Sequence, residues 1–482
     1  MGEKLMAEEK TIRKSFHILC IGVTFVVFAE ASGLVAYPKM LANFDLGAGY
    51  AVWMQLGFAL GLTGFQPLFG WLGDYFGQKM VILLGAALLA IGTSLVALAP
   101  FFWVLVFGMF IKGVAGAAVI PAGFTYVGKF FKDEQRGKAL GIFGFYSVIG
   151  GVLGPVISGM FVDSMGWSSI FWFCAFLGVV TFLLFFIGVP TVQGGKLGSF
   201  DFLGVIFVVL TLLGILTIPT FINSYGISSW MLLPPFGVFV IAFLLLIVVE
   251  KKQKDPLIDI KYATNRNFWV TSIIAVLLSV TFSSIMYVLT FFVQGVQEKS
   301  STIIGLLQMA LFATMAVANL LSGRWMSRLS ARFMIGLSII MLIGGSGMLI
   351  VVTIDTSFLY LLISMCLIGI GIGLAGPATK AVVLSEADPS RLGTITFTFN
   401  MIETTAQRVG ASFAIVTYAL FAARGNAVSA LSSTALILTI FTAMSFIFLY
   451  LIPKKVRGFQ GVTGSAENVE VDTTEYDMNA TK

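Results

Sequence analysis

The chain has 482 residues, of which 58% are hydrophobic and 11% are charged, and its mean hydropathy is +0.98. A soluble domain carries about a quarter charged residues, so this composition excludes a soluble enzyme or binding domain and makes lipid the expected solvent. The formal net charge of +6 does not indicate nucleic acid, because the basic residues fall in short loops. There they set membrane topology and contact anionic headgroups.

Apolar runs of membrane-spanning length follow one another along the whole chain. One span needs roughly 20 apolar residues, and the first run lacks the cleavage site of a signal peptide, so we expect it to stay as a helix. We predict an all-α membrane protein with about fourteen spans, at residues 15–38, 49–70, 80–99, 102–127, 139–161, 168–189, 201–222, 232–249, 268–291, 301–322, 333–353, 358–379, 394–420 and 431–452.

The distribution of Lys and Arg orients these spans. On the side of the N-terminus lie 24 of the 29 basic residues, and the other side has only Lys39, Lys299 and Arg424. The remaining two, Lys112 and Arg408, fall inside predicted spans. Positively charged loops stay in the cytoplasm, so we expect a multi-pass protein of the bacterial inner membrane with both termini cytoplasmic.

The spans divide into two sets around a charged linker. We predict a cytoplasmic N-terminus at 1–14, an N-terminal six-helix bundle at 15–190, two additional spans at 201–249, a cytoplasmic linker at 250–267, a C-terminal six-helix bundle at 268–453 and a disordered acidic tail at 458–482. GWLGDYFGQKM after the second span and SGRWMSRLSARFM after the tenth form a weak internal repeat. Duplicated helical halves are typical of secondary transporters, whose substrate site lies between the halves.

A glycine-rich turn, GWLGDYFGQK at 70–79, joins the second and third spans. Gly70 and Gly77 permit a tight turn, and Asp74 can cap a helix or pair with a cation. A latch that opens and closes with the transport cycle and a plain turn with a solvated Asp74 both fit this pattern. A cation for such a pair is available at Lys79.

The spacing G-x-L-x-D-x-x-G-x-K in this turn resembles the signature of the major facilitator superfamily. Arg136 lies in the segment EQRGKALG at 134–141, which is similar to the superfamily's loop after the fourth helix. Tyr75 and Gln78 stand where the family usually has Arg, so part of the family's charge network is missing. The resemblance implies two six-helix bundles that alternate access to a central site.

The fifth span carries Gly150, Gly154, Pro155 and Gly159. Pro155 removes a backbone donor and kinks the helix, and the glycines permit close helix approach. Ordinary tight packing explains this pattern, but it also resembles the antiporter motif of the superfamily's exporters. Ser158 stands where the family often has Gly, which is a small departure.

Two further segments resemble the fourteen-helix drug:proton antiporter branch, the branch of multidrug and tetracycline-type efflux. They are WSSIFWF at 167–173, which an interfacial aromatic belt explains equally well, and GIGIGLAGP at 369–377. The resemblances together extend over about 20–450. They imply proton-coupled export, with the proton as coupling ion and no other cofactor.

Charged residues fall inside the predicted spans at three positions: Glu30 in the first, Lys112 in the fourth, and Glu403 with Arg408 in the thirteenth. Glu30 and Lys112 lie at similar depth, near the middle of their spans. A charge at this depth costs at least ~2.5 kcal/mol, so it is a functional candidate by default. We expect the two side chains to approach each other at similar depth. Such a carboxyl group can bind and release protons as its access to water alternates, although a static pair that only orders the bundle is the alternative.

The resemblance both supports and complicates a proton site at Glu30. The branch often has an acidic residue eight or nine positions before a proline of the first helix. Glu30 lies eight positions before Pro38. The family's fourth-helix Arg, which is implicated in coupling, is replaced by Met109, and Lys112 stands one turn further on. Either the charge has moved by a turn or coupling differs from that of the family.

A second polar stripe lies in the thirteenth span. Asn400, Glu403 and Gln407 share a helix face, and Arg408 follows directly. A substrate or proton site in the second half and a stripe that holds helices together fit this pattern about equally well. Further candidates for lining a cavity are Ser283, Ser284, Tyr287, Gln294 and Gln308.

The leading hypothesis is a secondary transporter that exports small hydrophobic or cationic compounds in exchange for protons. The alternative is a transporter of one metabolite or natural product, which includes an importer. One histidine, three cysteines inside apolar runs and no nucleotide-binding loop argue against an enzyme, a metal site and an ATP-driven pump. We expect the partners to be a small-molecule substrate and the lipid bilayer, no nucleic acid, and a monomeric protein.

Overall fold

The computed structural model describes residues 2–130, 133–190, 201–226, 228–252, 265–326, 328–384, 392–424 and 427–452. These residues form fourteen α-helices and no strand: α1 (Gly2–Asn43), α2 (Ala51–Tyr75), α3 (Gln78–Ala97), α4 (Phe102–Phe130), α5 (Asp133–Met165), α6 (Trp167–Gly188), α7 (Phe202–Tyr225), α8 (Leu233–Lys252), α9 (Arg266–Gly295), α10 (Ser301–Trp325), α11 (Ala331–Met348), α12 (Phe358–Leu384), α13 (Leu392–Arg424) and α14 (Ala427–Leu449). The predicted linker, for the most part, and the predicted tail lie outside the described residues.

Local sequence sets where several helices begin. Gly77 and Gly166 have φ of 91° and 84°, a conformation that glycine adopts without steric cost, and each directly precedes a helix. The carboxylate of Asp201 accepts the amide proton of Gly204 and so caps α7 at 2.8 Å. Pro219 lies inside α7.

Twelve stretches of the described residues are long and apolar enough to cross a membrane. They belong to every helix except α2 and α13. The prediction of an all-helical membrane protein is confirmed, whereas the count of fourteen spans stays a prediction. The helices α1 and α5 begin before the predicted starts at residues 15 and 139. Helical structure therefore extends into segments that were predicted to lie outside the spans.

Helix packing repeats itself between the first six and the last six helices. In the first set α1 packs on α5 and α6, α4 packs on α2 and α3, and α3 packs on α6. In the second set α9 packs on α13 and α14, α12 packs on α10 and α11, and α11 packs on α14. Each of these five contacts of the first set therefore has a counterpart in the second, which is the architecture of a duplicated transporter.

The two halves meet along two equivalent seams. In one seam α5 of the first half packs on α10 of the second, and in the other α2 packs on α13. Between the seams, α1 contacts α9. The additional pair lies outside one seam only, since α7 contacts both α2 and α13 and α8 packs on α7. The centre of the molecule therefore lies between α1, α2, α4, α9 and α13.

Candidate functional site

Three charged side chains meet between the halves, one each from α1, α4 and α13. They are Glu30, Lys112 and Arg408, and both cations lie close enough to Glu30 to act on it electrostatically. None of the three forms an ion pair within 4.0 Å with another described residue. The sequence predicted the proximity of Glu30 and Lys112, and the structure adds a cation from the second half.

Two glycines allow these charges to approach the helix backbones. Glu30 rests on α4 at Gly116, where an added methyl group would overlap its Oε1 atom. Lys112, one turn before Gly116 on α4, extends to Gly33 of α1, where an added methyl group would lie 2.9 Å from Nζ. Lys112 is only 2% exposed, so its charge is held inside the bundle rather than at its surface.

One aromatic ring lies close to both cations. Phe58 of α2 has Nζ of Lys112 5.4 Å from its ring centroid and the guanidinium carbon of Arg408 5.0 Å away. The ring of Phe171 lies 5.6 Å from the same Lys112 nitrogen. Each such cation–π contact contributes roughly 0.5–2 kcal/mol, with the larger values where water is excluded. These rings stabilise two like charges that would otherwise repel each other.

A second group of polar side chains joins the halves beside Arg408. The hydroxyl of Tyr287 in α9 donates a hydrogen bond to Oε1 of Gln55 in α2, and its ring meets that of Tyr37 in α1 edge-on at 6.0 Å. Arg408 is close enough to act electrostatically on both tyrosines. Gln55 and Phe58 are three residues apart and share a helix face, so α2 contributes to both groups.

Several polar atoms in this region are buried without a hydrogen-bond partner among the described residues. They are Oε1 of Glu30, Nε2 of Gln55 and Nε of Arg408. Leaving such an atom unpaired costs about 1–3 kcal/mol, more when it is charged. Structural cores generally avoid this cost, so these three atoms are available to pair with water, a proton or a bound compound.

The predicted stripe on α13 is only partly drawn into this centre. Arg408 takes part, but Asn400, Glu403 and Gln407 make no side-chain hydrogen bond or ion pair with another described residue. The backbone carbonyl of Asn400 accepts a hydrogen bond from Thr404, as in many helices. Their predicted role in substrate or proton binding stays a prediction.

The glycines of α5 lie at two helix crossings. Gly150 and Gly154 face α1, where added methyl groups would meet the carbonyl oxygens of Thr24 and Phe28. Gly159 faces the start of α10, and an added methyl group would come within 2.6 Å of the carbonyl oxygen of Ser301. The motif thus brings α5 close to a helix of each half.

Pro155 and Ser158 complete the packing of α5. Pro155 lies inside the helix, and its carbonyl oxygen lies so close to Gly305 of α10 that a side chain at Gly305 would overlap it. Ser158 is fully buried and donates a 2.6 Å hydrogen bond to the carbonyl of Ser32 in α1. The departure from the usual glycine therefore adds a contact between helices rather than disrupting one.

The two halves also meet where α5 ends and α10 begins, a region that we call the far end. A carboxylate that was not predicted from the sequence, Asp163, joins the halves there. Asp163 accepts hydrogen bonds from the backbone nitrogens of Ser301 and Thr302 at 2.9 and 2.7 Å. It also accepts the hydroxyl of Thr302 at 2.7 Å and forms an ion pair with Lys39 at 2.8 Å. We call this arrangement the Asp163 cap, since it satisfies the first amides of α10.

The turn motif between α2 and α3 is described only in part. Gly77 occupies the tight turn, and Lys79 donates a hydrogen bond to the carbonyl of Phe186, at the last turn of α6, at 2.9 Å. Lys79 thus stabilises a helix C-terminus within the first half. Gly70 lies within α2 rather than in the turn. The side chains of Asp74 and Arg136 lie outside the described part of the structure, and the latch predicted there stays a prediction.

The other predicted cavity residues connect helices. Ser284 donates to the carbonyl of Gly410 at 2.8 Å, Gln294 to the carbonyl of Val35 at 3.0 Å, and Gln308 to the hydroxyl of Thr290 at 3.1 Å. Ser283 donates within its own helix. Of these candidates only Tyr287 reaches the central charges. Gln55 and Phe58 were missed, and the signal that could have found Gln55 is a lone amide in an apolar run.

A duplicated set of membrane helices that encloses unpaired charges at the meeting point of its halves defines a membrane transporter rather than an enzyme. Residues 19–411 match the profile of the Major Facilitator Superfamily, and the chain belongs to that family. Its fold is likewise similar to the inward-facing, occupied crystal structure of a bacterial homologue of the human lysosomal transporter Spinster, with a TM-score of 0.66, 14% identity and coverage of 92% of this chain and 98% of that one.

The chain is also similar to curated proteins that are named as transporters or multidrug resistance proteins. The multidrug transporter protein MdtP of Bacillus subtilis is 24% identical over 82% of this chain and 73% of its own length. Multidrug resistance protein 3 of the same species is 25% identical over 82% and 76%. The riboflavin transporter RibZ of Clostridioides difficile is 26% identical over 78% and 81%.

Proposed function

We propose that the protein exports small organic compounds from the cell in exchange for protons, with Glu30 as the residue that carries the proton. The observation that carries this proposal is the position of Glu30 between one cation of its own half and one of the other. Relatives named as multidrug transporters and the glycine–proline motif of α5 support export as the direction.

The mechanism follows from the two origins of the charges near Glu30. Lys112 belongs to the same half as Glu30, so its distance from the carboxylate changes little when the halves rock. Arg408 belongs to the other half, so rocking changes the field that it exerts on Glu30. Since nearby charges and water access govern proton binding by a carboxyl group, the movement that opens one side of the site also sets when the proton binds and leaves.

The two bundles and the buried contacts between them are compatible with an alternating-access mechanism. The halves are rigidly packed internally and meet along two seams that small residues and single side chains hold together. Transporters of this build move largely by rocking one half against the other around a fixed site. Arg408 and Tyr287 of the second half and Glu30 and Gln55 of the first form that site.

The test is Glu30→Gln in an efflux-deficient bacterial host that is challenged with a panel of toxic compounds. We expect the unaltered protein to raise resistance to at least one compound and the variant to lose that effect at an equal amount in the membrane. Glu298→Gln, an exposed carboxylate outside the site, is the matched control and should retain resistance. In proteoliposomes the same compound should collapse an imposed proton gradient with the unaltered protein only.

A result against the proposal is equally clear. If Glu30→Gln confers full resistance and drives full proton exchange, Glu30 does not carry the proton. If the protein instead increases accumulation of a compound, the direction is wrong and import is favoured. The relative named as a riboflavin transporter makes a single metabolite the second candidate substrate, and riboflavin is therefore included in the accumulation assay.

A further inference from the structure

The central site offers unpaired hydrogen-bond donors and an unpaired acceptor close to one aromatic ring. Glu30 presents an unpaired acceptor, Oε1, against α4. Gln55 is 1% exposed and presents an unpaired donor, Nε2, while Nε of Arg408 is a second unpaired donor. Lys112 adds an ammonium group that makes no hydrogen bond to a described residue. The site therefore contains one unpaired acceptor and three donors.

The balance of charge limits what binds there. With Glu30 ionised, Lys112 and Arg408 leave the site with one excess positive charge. A compound that carries only a positive charge meets one attractive group and two repulsive ones in a region of low dielectric, where repulsion is strong. A compound that carries only a negative charge leaves the acceptor of Glu30 unpaired.

We propose that the transported compounds are aromatic ampholytes, which carry an amine or other cationic donor and a carboxylate or other anionic acceptor on one aromatic body. The donor binds Glu30, the acceptor binds Lys112, Arg408 and Gln55, and the ring packs against Phe58. This assignment rests on the proposed function and replaces the hydrophobic or cationic substrates that the sequence favoured. The two cations already held against Phe58 are the groups that make a purely cationic substrate unfavourable.

An ampholyte also fits exchange with protons. Its cationic donor and a proton compete for the same carboxylate of Glu30, so binding of one displaces the other. The charged groups that face Glu30 are Lys112 from α4 and Arg408 from α13, while α5 and α6 bring the uncharged Ser158 and Cys174 near the same stretch of α1. The anionic end of the compound takes no part in the proton exchange. It contributes only to the selection of the substrate.

The experiment compares three dyes of one ring system: a rhodamine with a free carboxylate, its methyl ester, and fluorescein. The first is an ampholyte, the second a cation and the third an anion. Binding to the purified protein in lipid nanodiscs is measured by fluorescence anisotropy. We expect the free acid to bind about tenfold more tightly than either of the others, as a single well-placed polar pairing provides.

Variants identify the groups responsible for the preference. Lys112→Gln and Arg408→Gln should each reduce the preference for the free acid over the ester to about twofold or less. Gln55→Leu, which alters no charge, should weaken binding of the free acid more than binding of the ester. Arg332→Gln removes a cation that stacks on Tyr450 away from the site and should change nothing.

Separate outcomes decide the inference and the proposed function. If the ester or fluorescein binds as tightly as the free acid, or if none of the three binds, the inference is overturned. If the free acid is preferred and the cation variants abolish that preference, the inference holds. Proton-gradient-driven movement of the bound dye in proteoliposomes is then measured separately, and its absence contradicts the exchange mechanism without affecting the binding result.

Discussion

Replacing Asp163 by Asn should loosen the contact between the halves at the far end. The carboxylate of Asp163 accepts four hydrogen bonds, from Lys39, from the amides of Ser301 and Thr302, and from the Thr302 hydroxyl. Asn keeps one acceptor oxygen and loses the charge, so it can cap one amide but attracts neither Lys39 nor the helix dipole of α10.

The size of this effect follows from the parts that are lost. A capping side chain contributes about 1 kcal/mol, and a negative charge at a helix N-terminus a further 0.3–1 kcal/mol, roughly. The pair with Lys39 is partly exposed, at 43% and 23%, so it adds only a few tenths, roughly. The total of about 2 kcal/mol corresponds to a shift of about 30-fold toward the conformation in which this end is open.

Distances between spin labels measure that shift directly. Met165 and Asp355 are exposed at the far end, one in each half, and each is replaced by Cys on a background in which the native cysteines are Ala. We expect a second, longer distance to gain population in Asp163→Asn but not in Asp45→Asn, which removes an exposed carboxylate nearby. An unchanged distance distribution would refute a role for the Asp163 cap in holding the halves together.

Two further predictions concern helix packing around α5. Gly305→Ala should lower the thermal midpoint of the purified protein, because the added methyl group overlaps the carbonyl of Pro155 and such overpacking costs about 1–3 kcal/mol. Gly144→Ala, whose methyl group meets no atom within 4 Å, should leave the midpoint unchanged. Equal midpoints for the two variants would contradict the close crossing of α5 and α10. Ser158→Ala should destabilise the protein by about 1 kcal/mol through loss of its bond to Ser32, and an unchanged midpoint would show that this bond contributes nothing.

The helical architecture was accessible from the sequence because each span must bury its backbone within one segment. Apolar runs and basic loops therefore predict element type without knowledge of neighbours. The proximity of Glu30 and Lys112 followed in the same way, since both helices belong to one half and the residues lie at similar depth. The predicted weak repeat has its counterpart in the matching helix contacts of the two halves.

The contribution of the second half to the central site could not be predicted from the sequence in this way. Arg408 follows Gln407 on a stripe whose other members stay apart from the centre, and no periodicity says which of them meets Glu30. That choice depends on how two bundles dock, through contacts such as Tyr287 with Gln55. The Asp163 cap was missed for a related reason, because an acidic residue at a helix end looks like an ordinary solvated one.

The additional helix pair removes the equivalence of the two seams. Side chains of α7, including Val208, Leu212 and Leu216, form one apolar cluster with Leu56 of α2 and contact Met401 of α13, so this seam is covered on its outer side. The seam between α5 and α10 has no such cover among the described helices. A compound that dissolves in the bilayer therefore meets one seam that no additional helix covers, instead of two.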